Sequence, residues 1–247
     1  MTTLVDTARA ERPSAIGWTL AGLSLATLLS ALGTSVANVG LPTLARAFGA
    51  SFQAVQWVVV AYLLAVTTLV VGVARLGDVV GRRRLLLAGI ATFTAASLLC
   101  GLAPTLPALV AARAAQGLGA AVMMALTIAF VRDTVPNART GSAMGLLGTM
   151  SAIGTALGPS LGGVLIAAFD WRAIFLINVP LGLTAMLLVV RYVPAERRKA
   201  GAEPARFDVP GTFLLALTLG AYALAMTLGR GQFGALNIGL LAGAARR

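Results

Sequence analysis

Long apolar stretches, separated by short islands of charge, make up most of this sequence. Seven of them run for about 20 residues each, which is the length that an α-helix needs to cross the ~30 Å hydrocarbon core of a bilayer. We therefore predict an all-α membrane protein. The predicted spans are Ile16–Gly40, Val55–Leu76, Leu85–Ala103, Ala108–Val131, Ala143–Phe169, Ile174–Val193 and Val209–Leu228.

These spans divide the chain into four segments. Residues 1–15 form a predicted cytoplasmic tail, 16–193 a bundle of six spans, 194–207 a cytoplasmic linker, and 208–247 a seventh span with a shortened eighth. The eighth stretch begins near Phe233 and meets two arginines after about a dozen residues, too few to cross a bilayer. We expect a chain that stops partway through this helix.

The chain carries a net charge of +11, and most of its basic residues lie on one side of the predicted membrane. With the N-terminus placed in the cytoplasm, fifteen of the 19 Lys and Arg residues fall on the cytoplasmic side, three on the outer side, and Arg113 within a span. This bias is the positive-inside rule. The charge therefore sets orientation and does not indicate nucleic-acid binding. The predicted location is the plasma (inner) membrane, crossed many times.

The chain lacks the residues that metal sites and most catalytic sites require. It has no histidine, and its single cysteine, Cys100, lies in an apolar run. A metal site or a disulfide framework is therefore not expected, and no cofactor is predicted. None of the eight acidic residues lies inside an apolar run. An enzyme is disfavoured, and no catalytic residue is assigned.

The sequence between the second and third predicted spans is Gly-Asp-Val-Val-Gly-Arg-Arg-Arg, residues 77–84. Gly77 and Gly81 allow a tight turn between antiparallel helices. Asp78 can then lie near a helix N-terminus, where a negative charge is favoured by up to ~1–2 kcal/mol. Arg82 and Arg83 help to set topology, whatever else they do.

The fourth predicted span contains an arginine. Arg113 and Gln116 are three residues apart, so they share a helix face. An arginine at the centre of a span costs at least ~2.5–3.5 kcal/mol and implies a partner. The partner is water, a carbonyl, Asp170 at the outer rim, or an acid outside this chain. The alternative is that Arg113 snorkels outward to the surface.

The fifth predicted span is rich in glycine, with Gly-Thr-Ala-Leu-Gly-Pro-Ser-Leu-Gly-Gly at residues 154–163. Gly154, Gly158 and Gly162 recur every four residues and form one smooth groove for close helix packing. Pro159 removes a backbone hydrogen bond and is expected to bend the helix. Gly163 completes the terminal glycine pair.

Together, in this order, the patterns resemble the major facilitator superfamily. More narrowly, they resemble its 14-span drug:proton antiporter branch, the EmrB/QacA type. Residues 77–84 resemble the superfamily's G-x-L-x-D-R-x-G-R-R loop, 113–120 its R-x-x-Q-G-x-G-A, and 154–163 its G-x-x-x-G-P-x-x-G-G. The likeness runs over residues 16–243 and covers only the amino-terminal half of such a transporter.

The first span shows one departure from the family. Residues 33–42 resemble L-D-x-T-I-V-N-V-A-L-P, but Gly33 stands where the family has aspartate. The family's usual membrane carboxylate is therefore missing here. Thr34 and Asn38 lie four residues apart on one helix face. They either line a cavity or form hydrogen bonds between helices.

The resemblance implies a role for each pattern. The loop at 77–84 would latch two halves of a transporter together in its outward-facing state. Arg113 would assist proton movement. The glycine groove would mark an exporter, and we expect it to face a helix of the other half.

The leading functional hypothesis is a secondary active transporter, by resemblance a proton-coupled exporter of amphipathic small molecules or drugs. Its expected partners are the lipid bilayer, an amphipathic substrate, protons, and a carboxy-terminal half that is missing or is supplied by a second chain. The alternative is a truncated fragment that does not transport, or a membrane scaffold of the same family.

Overall fold

The computed structural model of the chain describes residues 13–193 and the single position 218. The helices in this part are Pro13–Phe48 (α1), Phe52–Val80 (α2), Arg82–Leu102 (α3), Leu106–Thr134 (α4), Asn137–Ala168 (α5), Ala173–Leu176 (α6) and Asn178–Tyr192 (α7). α6 and α7 together form one span, so the described part has six helices of membrane length. The predicted all-α membrane fold with a six-helix bundle is confirmed. The linker, the seventh span and the shortened eighth lie outside the described residues, apart from position 218.

Short capped turns join these helices. The Ser51 hydroxyl accepts a hydrogen bond from the Ala54 amide at 3.3 Å at the start of α2, and Thr105 does the same for Ala108 at the start of α4. Such caps satisfy amides that have no partner within the helix. Gly81 alone separates α2 from α3, with a φ of 98° that favours glycine. Consecutive helices are therefore antiparallel.

Two sets of contacts define the ends of the bundle. The Trp18 ring stacks on the Tyr192 ring with centroids 5.6 Å apart, which brings the start of α1 to the end of α7. The Phe48 and Trp171 rings lie 5.2 Å apart at the opposite end. We name these the arginine-rich end and the Trp171 end. The arginine-rich end carries residues Arg82, Arg83, Arg84, Arg132, Arg139 and Arg191.

The interior of the bundle is built from close helix pairs. α1 packs against α5 and α7, and α4 packs between α2 and α3. A Cβ atom added at Gly119 of α4 would lie 2.6 Å from both Gly89 O and Phe93 N of α3. Small residues at such crossings let the two backbones approach, as is usual for helices in lipid. Of the six spans, α5 is the least buried within the described bundle.

Candidate functional site

Arg113 lies at the centre of the described bundle and is fully buried. Its Nε donates to Val58 O of α2 at 2.9 Å, and its Nη1 donates to Gly33 O of α1 at 3.0 Å. The same Nη1 donates to Gln116 Oε1, one helical turn further along α4, at 2.6 Å. One guanidinium thus connects three helices.

Gln116 extends this network to α3. Its Nε2 donates to Ser97 Oγ at 2.7 Å, and the Ser97 hydroxyl in turn donates to Phe93 O at 2.7 Å. Gln116 and Ser97 are both fully buried. Buried polar groups of this kind are retained where each has a partner. The predicted pair Arg113 and Gln116 is therefore the core of a network that reaches α1, α2 and α3.

Aromatic rings cover the guanidinium. Arg113 Cζ lies 4.2 Å from the centroid of the Tyr62 ring and 5.8 Å from that of Phe175. Both distances are within the range in which a ring face attracts a cation. The Tyr62 hydroxyl donates to Ser30 O at 2.8 Å, which fixes the ring against α1. α2 and α6 therefore contribute to the same site.

The partner of Arg113 is a set of neutral acceptors. Of the alternatives predicted, carbonyl groups are present, whereas snorkelling to the surface is wrong because the side chain has no exposed area. Asp170 instead accepts from Arg172 Nη1 at 2.8 Å at the Trp171 end. Arg113 Nη2 has no hydrogen-bond partner among the described residues. The positive charge is therefore stabilised by backbone dipoles, one amide and aromatic faces.

Thr34 and Asn38 bond along their own helix. Thr34 Oγ1 donates to Ser30 O at 3.1 Å, and Asn38 Nδ2 donates to Thr34 O at 3.3 Å. Asn38 is exposed on the described bundle, and Thr34 is half-buried. Their predicted role in lining a cavity stays a prediction. A Cβ added at neighbouring Gly33 would lie 3.3 Å from the Phe93 ring and from the Tyr62 hydroxyl.

The loop between α2 and α3 fastens the arginine-rich end. Gly77 belongs to the last turn of α2, and a Cβ added there would lie 3.1 Å from Leu126 Cδ2 of α4. Arg82 forms an ion pair with Asp133 at the end of α4. Arg83 Nη2 donates to Val190 O of α7 at 2.6 Å. The side chain of Asp78 lies outside the described residues, so its predicted placement stays a prediction.

The glycine groove of α5 packs against α1 of the same bundle. A Cβ added at Gly154 would lie 2.8 Å from Leu28 O, and one at Gly162 would lie 3.0 Å from Val36 Cγ2. Gly158 faces Ser35. The expectation that this groove faces a helix of another half is therefore wrong. A glycine repeat in a sequence indicates that another helix packs closely on it, but it does not identify that helix.

Pro159 and Gly163 lie beside this groove rather than in it. Pro159 is exposed and lies inside α5, which continues on both sides of it. A Cβ added at Gly163 would have no heavy atom within 4 Å. These two residues therefore belong to the outer side of α5 and not to its contact with α1.

Sequence reasoning did not assign several residues of these contacts. Tyr62, Ser97 and Phe175 surround Arg113, and Ser35 faces Gly158. Ser97 and Ser35 could have been found as hydroxyl groups inside apolar runs, since polar groups in a membrane span need partners. The Val58 and Gly33 carbonyls have no sequence signal, because every residue has one.

Comparison with known proteins identifies relatives among transporters. The chain is 38% identical to the multidrug resistance protein Stp of Mycobacterium tuberculosis over 175 residues, which are 70% of this chain and 32% of that protein. It is 36% identical to the riboflavin transporter RibZ of Clostridioides difficile, over 71% of this chain and 38% of that protein. The methylenomycin A resistance protein of Streptomyces coelicolor is 36% identical, with shares of 70% and 36%. The chain spans about a third of the length of these relatives.

Solved structures and a family model agree with this assignment. A bacterial homologue of the human lysosomal transporter Spinster matches with a TM-score of 0.66 and 18% identity, over 95% of this chain and 58% of that chain. A D-xylose-proton symporter matches with a TM-score of 0.62 and 15% identity, over 89% and 70%. Both likenesses concern the fold. The family model described as Major Facilitator Superfamily matches residues 23–244. The prediction that the chain is not an enzyme is thereby confirmed: it belongs to the Major Facilitator Superfamily of transporters.

Proposed function

We propose that this chain forms one bundle of a secondary active transporter that exports amphipathic small molecules. The observation that carries the proposal is the glycine and proline pattern of α5, which resembles the antiporter pattern of exporters and whose Gly154, Gly158 and Gly162 pack on α1. Relatives named as a multidrug resistance protein and a methylenomycin A resistance protein support export. The proposed location is the inner membrane, with the arginine-rich end in the cytoplasm.

The proposed working unit has two bundles. Secondary transporters of this kind rock one bundle against another around a site near the middle of the membrane. The six described spans would supply one wall, and a second bundle, in a longer chain or a second chain, would supply the other. We place the protein in the 14-span drug:proton antiporter branch. Thr34 and Asn38 would line the substrate path, with the Arg113 network beside them.

We further propose that a proton gradient drives export and that the proton-binding group lies outside these six spans. Between residues 13 and 193 the acidic residues are Asp78, Asp133 and Asp170, and each lies at or near a helix end. The chain has no histidine. The hydrogen-bond acceptors of Arg113 are all neutral. No carboxylate that could bind and release a proton is therefore paired with it among the described residues.

Efflux of a fluorescent amphipathic cation such as ethidium tests the proposal. Cells that make the complete transporter are loaded with dye, and dye loss is followed with and without a protonophore. We expect expression to accelerate dye loss and the protonophore to remove that acceleration. Dye loss that does not depend on expression would contradict export of such compounds. Accelerated loss that persists without a proton gradient would contradict proton drive.

Substitution of Gly33 by aspartate is expected to change the pH dependence of transport. A side chain at this position would have its Cβ 3.3 Å from Phe93 and from the Tyr62 hydroxyl, tight but next to movable side-chain atoms. The new carboxylate would lie beside Arg113, which already contacts Gly33 O at 3.0 Å. The matched control is Gly33→Asn, which has the same size and does not titrate. Identical rate-against-pH curves for the two variants would show that position 33 has no part in coupling.

The proposed latch at the arginine-rich end predicts an asymmetry between two exposed ion pairs. Asp133→Asn removes the acceptor charge that faces Arg82, and Asp170→Asn removes the one that faces Arg172 at the Trp171 end. Exposed pairs contribute about 0–1 kcal/mol, so we expect little loss of stability from either variant. The maximal transport rate should fall for Asp133→Asn and not for Asp170→Asn. Equal rates in the two variants would remove the case for a latch that uses Asp133.

A further inference from the structure

Pro159 leaves one carbonyl of α5 without its usual donor. Proline has no amide hydrogen, so it cannot donate to the carbonyl four residues earlier, which is that of Thr155. The Ser35 hydroxyl of α1 donates to Thr155 O at 2.6 Å. A side chain of the neighbouring helix thus supplies the hydrogen bond that the proline cannot.

Gly158 makes this approach possible. A Cβ atom added at Gly158 would overlap Ser35 Oγ and would lie 2.5 Å from Ser35 Cβ. Any larger residue at 158 would push α1 away from α5 at the level of the Thr155 carbonyl. Gly154 and Gly162 keep the two backbones close on either side of this point. Ser35 is 8% exposed, so water has little access to its hydroxyl.

Three other hydroxyl groups of α1 behave differently, whereas Thr19 donates to Tyr192 O at the end of α7, a carbonyl with no donor four residues further along its helix. Thr27 donates to Leu23 O, Ser30 to Ala26 O and Thr34 to Ser30 O, each within the same helix. Bonding to the carbonyl four residues earlier is the usual local choice of Ser and Thr in helices. Ser35 instead bonds to α5. The lone carbonyl of Thr155 explains the difference, because in the hydrocarbon core a backbone acceptor must be satisfied by protein.

We propose that Ser35 is a positioning residue that replaces the hydrogen bond missing at Pro159 and fastens α5 to α1, so that these two spans move as one body during transport. The inference rests on the proposed transport function for its kinetic consequences. The hydrogen bond itself does not depend on that function. Pro159 therefore leaves a carbonyl of α5 to which α1 can donate a hydrogen bond, in addition to any bend that it causes.

A double-mutant cycle in the complete transporter tests the hydrogen bond. The variants are Ser35→Ala, Pro159→Ala and the two combined, with Thr27→Ala as the matched control that loses a bond within α1. In the native background we expect Ser35→Ala to lower the melting temperature in detergent by about 2 °C or more and to lower the maximal transport rate with an unchanged KM. In the Pro159→Ala background residue 159 has an amide to donate, so Ser35→Ala should then cost little.

The outcomes of this cycle are distinct. A strong dependence of the Ser35→Ala effect on the residue at 159 supports the proposal. Additive effects on the melting temperature, or an effect of Thr27→Ala as large as that of Ser35→Ala, would overturn it. Because melting is measured without substrate, the cycle remains decisive even if the proposed export activity is not found. If the transporter exports its substrate but the Ser35→Ala and Pro159→Ala effects on the melting temperature are additive, the proposed function is supported and the proposed role of Ser35 is contradicted.

A cross-link tests the movement as one body. A Cβ at Gly154 would lie 2.9 Å from Ala31 Cβ and 2.8 Å from Leu28 O, so cysteines at 31 and 154 reach disulfide geometry only after α1 and α5 separate slightly; the reduced double variant must therefore first be shown to transport. The pair is introduced in a background without other cysteines, which for this sequence requires Cys100→Ala, since Cys100 is its single cysteine. We expect oxidised and reduced protein to transport at the same rate. Transport that is lost on oxidation and restored on reduction would show that α1 and α5 move apart.

Discussion

Substitution of Arg113 by lysine or methionine is expected to abolish transport, and lysine is expected to destabilise the bundle more than methionine does. The acceptors around Arg113 are arranged for a planar fork: Val58 O, Gly33 O and Gln116 Oε1 at 2.6–3.0 Å. An ammonium group cannot reach all of them or lie flat on the Tyr62 ring. Lysine would thus keep a buried charge with too few partners, which costs about 3–5 kcal/mol.

Methionine removes the charge and retains much of the volume. Its main cost is the loss of the charged donor to Gln116 Oε1, which would keep only the weak Cys100 thiol donor at 4.0 Å; this costs about 1–3 kcal/mol. Melting temperatures of the complete transporter in detergent and transport rates check both variants. Arg139→Gln is the control, because Arg139 is exposed and surface changes usually stay within about 0.5 kcal/mol. A methionine variant that transports at the normal rate would show that the charge of Arg113 is not needed.

The membrane architecture was predictable because it follows from hydrophobicity alone. Each of the first six apolar runs corresponds to a span of the described part, and the order of these six spans is as predicted. The ends were less predictable. α1 extends to Phe48, eight residues beyond the predicted end at Gly40. Helices continue past the hydrocarbon region wherever local residues permit, and composition marks only the apolar part.

The site was predictable in its central residue and not in its surroundings. A buried arginine needs a partner wherever it lies, so Arg113 could be selected from sequence. Its acceptors are two backbone carbonyls on other helices, and these depend on how each helix is rotated about its axis. The low amphipathicity of the spans gives little information on rotation, because both lipid and the bundle interior are apolar.

The glycine pattern of α5 shows the same limit more sharply. Its period of four residues correctly predicted a close contact, yet the contact is with α1 and not with another half. A small-residue face fits any backbone that reaches it. The contact with α1 includes one specific pair of groups, the hydroxyl of Ser35 and the carbonyl of Thr155. Such complementarity between two helices appears only when both are placed in space.

Substitution of Gly119 by alanine is expected to produce the second large loss of stability, although alanine is the better helix former. The added methyl group would lie 2.6 Å from Gly89 O and from Phe93 N of α3. Both are backbone atoms, so relief requires that α3 and α4 separate. Overpacking of this kind costs about 1–3 kcal/mol. Separation of the helices would also disturb Ser97, which lies on α3 four residues beyond Phe93 and accepts a hydrogen bond from Gln116 of α4.

Gly17→Ala is the matched control, because Gly17 is exposed on α1 and a Cβ there has no heavy atom within 4 Å. The same chemical change should here leave stability equal or raise it by up to about 1 kcal/mol, since alanine exceeds glycine in helix propensity. Melting of the two variants in detergent should therefore shift in opposite directions or by clearly different amounts. Equal shifts would mean that the α3–α4 contact is not as close as the structure places it, and that Gln116 is held by other means.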